Sequence, residues 1–129
     1  MLNKFLNQRK IYLDKKNIIF IKDNSLNIKN YFNSKKFDLI WIDGDHSNPV
    51  VTIDIINSLD LINDKGIILN DDVTINKKSK YTSNDAYKTL DYLQKKKLVK
   101  NYYLIKRIRK MNSYYKKYIA VSFLKNTLQ

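Results

Sequence analysis

FDLIWIDGDHSNPVVTIDIINSLDLINDKGIILNDDV, residues 37–73, holds two continuous apolar runs, FDLIWID at 37–43 and GIILND at 66–71, each ending in acid. Apolar runs without alternation belong to strands covered on both faces, as in parallel sheets. Between them GDHSNP breaks the chain. Val50, Ile53, Ile56 and Leu59 then lie on one helical stripe over Val50 to Ile62, with Pro49 at a favourable first-turn position. NDKG at 63–66 reads as the turn that leaves this helix, its Gly66 suiting a helix end. Trp41 alternates into the sheet and reads as core.

The flanks extend the pattern. On the amino side LNIKNYFN (26–33) is a weak helix, NIIFIK (Asn17 to Lys22) is an apolar run of strand length, and Leu2, Phe5, Leu6, Tyr12 and Leu13 suit a short amphipathic helix over 2–14. On the carboxyl side Ser83 or Asn84 caps a helix to about Lys97, with Ala86, Tyr87, Leu90 and Leu93 facing inward. Residues 99–109 and 114–125 are rich in aromatic and β-branched side chains and flank KMNS, which predicts an antiparallel pair. The expected fold is α/β, a Rossmann-like, mostly parallel sheet with a C-terminal antiparallel hairpin. Ligands of such sheets bind at the carboxyl ends of the strands.

The chain has 129 residues, one domain by length, and a chain of this size buries roughly two thirds of its surface on folding. A hydrophobic fraction of 43% with only two Gly and one Pro excludes disordered and collagen-like chains. No cysteine is present, which excludes disulfide scaffolds, thiolate metal sites and thiol nucleophiles. No apolar run is long enough to span a bilayer and MLNKFLNQRK is too polar for a secretory signal, so the expectation is a soluble, cytoplasmic protein without a membrane partner. The net charge of +13 is uneven. Residues 1–73 carry 10 basic and 10 acidic side chains, and residues 74–129 carry 15 and 2. All twelve acids are Asp; with 17 Ile and 16 Asn this also fits a coding bias that inflates Lys.

Candidate chemistry sits at the two strand ends. Asp43, Asp45 and His46 follow the first run, and Asp71 and Asp72 close the second. Leaving several carboxylates unpaired beside a core costs multiple kcal/mol, and a hard divalent cation such as Mg²⁺ would resolve it. Aspartates also cap helices and solubilise loops, but two adjacent strand ends together favour a site. His46, the lone histidine, is either a surface loop residue or part of that site.

These residues resemble class I S-adenosylmethionine-dependent methyltransferases, specifically the metal-dependent O-methyltransferase branch and its class-24 relatives. IDGDH and NDDV within residues 37–73 carry the resemblance, which spans about residues 17–125. It implies a truncated class I fold in which 1–129 is a single methyltransferase-like domain, the C-terminal portion of the whole. It implies S-adenosylmethionine and Mg²⁺ or a similar cation as cofactors, with Asp43, Asp71 and Asp72 as metal ligands. Either Asp45 or His46 would take the proton from a small-molecule hydroxyl acceptor, and Asp23, Asn24 and Ser25 would contact the adenine ring. The family's Gly-rich loop and following acid are missing, since the only glycines are Gly44 and Gly66. A longer polypeptide, a partner chain supplying the cofactor half, or direct pairing of Asn17–Lys22 with the 37–43 strand would fill the gap. Two other functions compete. YYLIKRIRK and YYKKY interleave aromatics with Lys and Arg, as in nucleic-acid-binding strands. The chain could also be a catalytically inactive remnant kept as a partner subunit.

Overall fold

The computed structural model describes residues 15–32, 34–76, 83–111 and 113–125. The helix expected over 2–14 lies outside them. A single 3-10 turn, Ser25–Asn27, leads into the one-turn helix α1, Ile28–Tyr31. Strand β1 (Phe37–Ile42), helix α2 (Val50–Leu61), strand β2 (Ile62–Val73), helix α3 (Asp85–Lys95), and strands β3 (Val99–Met111) and β4 (Ser113–Leu124) follow. The sheet order is β1-β2-β4-β3, with β1 and β2 parallel and β4 antiparallel to both of its neighbours. This is the expected mixed α/β architecture, with one parallel strand pair and one reversed strand.

The core lies between the sheet and the two long helices. Val51 and Ile55 of α2, Ala86, Leu90 and Leu93 of α3, and Val73, Val99 and Ala120 of the sheet form one buried cluster. The inward positions of α3 are therefore those its sequence spacing predicts, with Tyr87 half-buried against them. Polar links fix the layers. The Thr52 and Thr89 hydroxyls lie 2.7 Å apart between α2 and α3. Asn101 of β3 donates to the Leu90 carbonyl at 2.7 Å and accepts from the Ser122 hydroxyl of β4. Helix α3 stops where Lys97 turns left-handed, at φ 61°, and the Leu98 amide reaches back to the Leu93 carbonyl.

Four expectations need correction. The buried face of α2 is not the Val50, Ile53, Ile56, Leu59 stripe: Val51, Ile55, Ser58 and Leu61 are buried and Ile56 is 42% exposed, because the helix meets the sheet and α3 along the neighbouring stripe. Asn17–Lys22 is not a strand: it joins no sheet, and Ile18, Ile19 and Phe20 are exposed. Apolar, β-branched residues make a strand only where an edge accepts their backbone groups, so composition alone could not decide this. Trp41 is not core; it is 50% exposed, with Leu39 at 55%. Cross-strand register puts Trp41, Leu69, Val121 and Tyr102 in one row, on the sheet face opposite the Ile42, Asn70, Ala120 and Tyr103 row that meets the helices. The NDKG segment, finally, lies inside β2. Phe37 pairs with Ile62 and Leu39 with Ile67, so residues 63–66 bulge out of the ladder. Gly66 is needed there, because a Cβ would come within 2.6 Å of the Ile62 side chain and 3.0 Å of the Phe37 carbonyl oxygen.

Candidate active site

The last β1–β2 pair is Ile42 with Asn70, so the chain beyond it places Asp43 and Asp71 at neighbouring strand ends. The two ends differ in kind. Past β1, Asp43 and Asp45 are exposed and His46 is half-buried. The Asp45 carboxylate accepts the Ser47 amide at 2.8 Å, which ties it to its own turn. The loop is pinned further on, where the Asn48 amide donates to Asp85 Oδ2 at 3.1 Å. That donor, with the Ser83 side chain, holds the Asp85 carboxyl below its ordinary value.

Past β2 the carboxylates are enclosed. Asp71 is 6% exposed, and its Oδ1 accepts the Asp72 amide at 2.8 Å. Its Oδ2 accepts from Lys106 Nζ. Lys106 also reaches Asp72 Oδ1 at 3.1 Å, and Lys117 donates to Asp72 Oδ2. Burial pushes the Asp72 carboxyl up, but Lys117 and Lys106 outweigh it and hold the group below the usual range. The Asp71 carboxylate in turn raises the Lys106 ammonium above its ordinary value.

Two irregularities in the ladders bring these groups together. Between Asn70 and Val73 strand β2 advances three residues while β4 moves two, from Ala120 to Tyr118. Between Ile105 and Arg107 strand β3 advances two while β4 moves one, so Lys106 is the extra residue. A bulge re-aims the side chain it carries, and here both bulges sit at the same end of the sheet. Asp72 adopts φ 52°, a left-handed conformation that aspartate tolerates better than most residues.

A cleft of about 400 Å³ opens along β1, between it, α2 and α1. Phe32, Leu39, Trp41 and Leu61 give it apolar walls, and Ser25, Asp43, Gly44 and Asp54 lie at its polar parts. Asp54 Oδ1 is buried with no hydrogen-bond partner among the described residues. Of the residues expected to contact adenine, only Ser25 joins Asp43 in this cleft. The Asp23 carboxylate accepts from the Tyr31 hydroxyl, the Asn24 amide and the Asn27 side chain, and these keep it below its ordinary value. Asn24 accepts the Leu26 amide at 3.0 Å and caps the 3-10 turn.

A match to a known protein family covers residues 6–73, more than half of the chain, and that family is described as a methyltransferase domain. The chain belongs to this methyltransferase family. A search among curated proteins finds no match. The methyltransferase match ends at Val73, so it takes in both strand ends and the cleft but neither lysine.

The cation expected at Asp43, Asp71 and Asp72 does not fit this methyltransferase site as arranged. All four oxygens of Asp71 and Asp72 already accept hydrogen bonds, three of them from ammonium groups. Among the described residues no group of three or more His, Cys, Asp or Glu side chains is placed to hold a metal ion. Sequence reasoning missed three residues here. Asp54 was detectable as a carboxylate set directly between Ile53 and Ile55. Lys106 and Lys117 were not, because their positions depend on the bulges.

Proposed function

We propose that the chain is the carboxyl-terminal part of a cytoplasmic, S-adenosylmethionine-dependent methyltransferase that acts on the hydroxyl of a small molecule. The observation that carries the reading is the cleft, which lies within the matched stretch and ends at Asp43 and Gly44. Its volume falls in the range of small-molecule sites, about 300–1,000 Å³. Apolar walls suit a flat ring, and the orphaned Asp54 oxygen suits a ring or ammonium N–H. S-adenosylmethionine would supply an activated methyl carbon there. The chain's own part is to position the acceptor hydroxyl and take its proton as the oxygen attacks in line with the departing sulfur. Asp45 and His46, on the loop next to the cleft, are the candidate bases. Asp71 and Asp72, the carboxylates that would hold a metal, are engaged by Lys106 and Lys117.

No glycine-rich backbone lines the cleft apart from Gly44, so a partner chain or an additional segment is proposed to complete the cofactor site. Calorimetric titration of the full chain with S-adenosylmethionine, followed by labelled methyl transfer to catechol and sugar hydroxyls, tests the reading. Heat of binding and transferred label support it. Neither signal, with a cofactor-half chain also present, leaves an inactive remnant. The nucleic-acid alternative draws on the basic hairpin, yet Lys106 and Lys117 are spent on Asp71 and Asp72, and Lys100 Nζ sits 5.1 Å from the Tyr102 ring centre. Binding to single strands that fails to weaken with salt removes that alternative.

A further inference from the structure

We infer that Lys106 and Lys117 are the resident cations of the β2 strand end, standing where a divalent metal would otherwise be needed. Two carboxylates and two ammonium groups sum to zero charge. A metal ion would therefore bring excess positive charge to a neutral cluster. It would also have to sit against the ammonium groups that already meet three of the four oxygens, so like charge opposes it. Asp71 is buried, so its charge cannot be left to water, and Lys106 is the group that meets it.

The arrangement is built into the backbone. Lys106 is the extra residue of one bulge, and Asp71 and Asp72 occupy the other. In regular ladders Lys106 would take another place on the sheet, and Asp72 would not need its left-handed φ. Both lysines come from the terminal hairpin, so the last two strands complete the site chemically as well as structurally. The inference rests on side-chain geometry and not on methyl transfer, and metal uptake reads it without turnover.

Mn²⁺ is the probe. The full chain is titrated with Mn²⁺ into the millimolar range while the free ion is followed by electron paramagnetic resonance. The expected result is no uptake that Asp71→Asn abolishes. The doubly substituted Lys106→Gln, Lys117→Gln chain is expected to take up one Mn²⁺ at least about tenfold more tightly, and Asp71→Asn in that background removes it. Uptake by the unaltered chain that Asp71→Asn abolishes overturns the inference. So does a folded double variant that takes up none. Should the double variant not fold, thermal midpoints of the unaltered chain decide. Midpoints equal in Mg²⁺ and in chelator support the lysines, and a Mg²⁺-dependent rise lost in Asp71→Asn overturns them.

Discussion

The two neighbouring strand ends carry the same residue type and treat it in opposite ways. At β1, Asp43 and Asp45 stand in water on a loop fixed at a few points. At β2, Asp71 and Asp72 are withdrawn into a four-member charge cluster. A carboxylate in water is available to bind or to take a proton. One locked by lysines is a structural anchor whose removal unsettles the sheet. Under the proposed function the β1 end carries the chemistry, while the β2 end is tied to the terminal hairpin.

The largest expected effect is on turnover. Asp45→Asn or His46→Gln, whichever removes the base, should lower kcat by about 10²–10⁴-fold and leave the urea midpoint unchanged. Equal activity in both variants would erase the functional side of the contrast. At the β2 end the effect should be on stability instead. Asp71→Ala should cost about 2 kcal/mol in urea unfolding. Lys106→Met should lower the midpoint further than any single change at the β1 end, and adding Asp71→Asn should return part of the loss.

Next comes binding. Asp54→Ala should weaken S-adenosylmethionine by about tenfold in calorimetry, or roughly 1.4 kcal/mol. The pH dependence arises within the β2 cluster. Asp72 titrates below its unfolded value of about 3.9, so its contribution is present above that pH and disappears as pH falls through the lower folded value. Lys106 is raised, so its contribution is complete below about pH 10.4 and is lost as pH climbs through the folded value. Acid unfolding monitored by circular dichroism should therefore shift to higher pH in Lys117→Met. The smallest effect belongs to Asp43→Ala, below about 0.5 kcal/mol in unfolding, because the residue is exposed and no ion pair holds it among the described residues.

Legibility in the sequence followed how local each cause was. The extent of α2, the α3 core positions and the terminal hairpin depend on spacing within one element, and all three are present, although α2 turns Val51, Ile55 and Leu61 inward in place of the expected stripe. Asn17–Lys22 has strand composition, but a strand also needs a neighbour, which no window of sequence contains. Trp41 follows the same logic: alternation places it on a sheet face, while only the other elements determine whether that face is covered. For the site, IDGDH and NDDV located both strand ends, and register then placed Asp43 beside Asp71 as expected. The lysine partners of Asp71 and Asp72 lie 34 to 45 residues downstream and are delivered by two one-residue slips in register. Such slips leave no mark in composition.

Among the described residues strand β1 ends the sheet, and its outward backbone stands beside the exposed side chains of Leu39 and Trp41. An unguarded margin of this sort invites identical molecules to stitch together. A net charge of +13 opposes such contact by mutual repulsion, which reaches only about 10 Å at 0.1 M salt. Colloidal behaviour should accordingly run opposite to that of a neutral protein: dispersed in dilute buffer, and scattering more light as electrolyte is added.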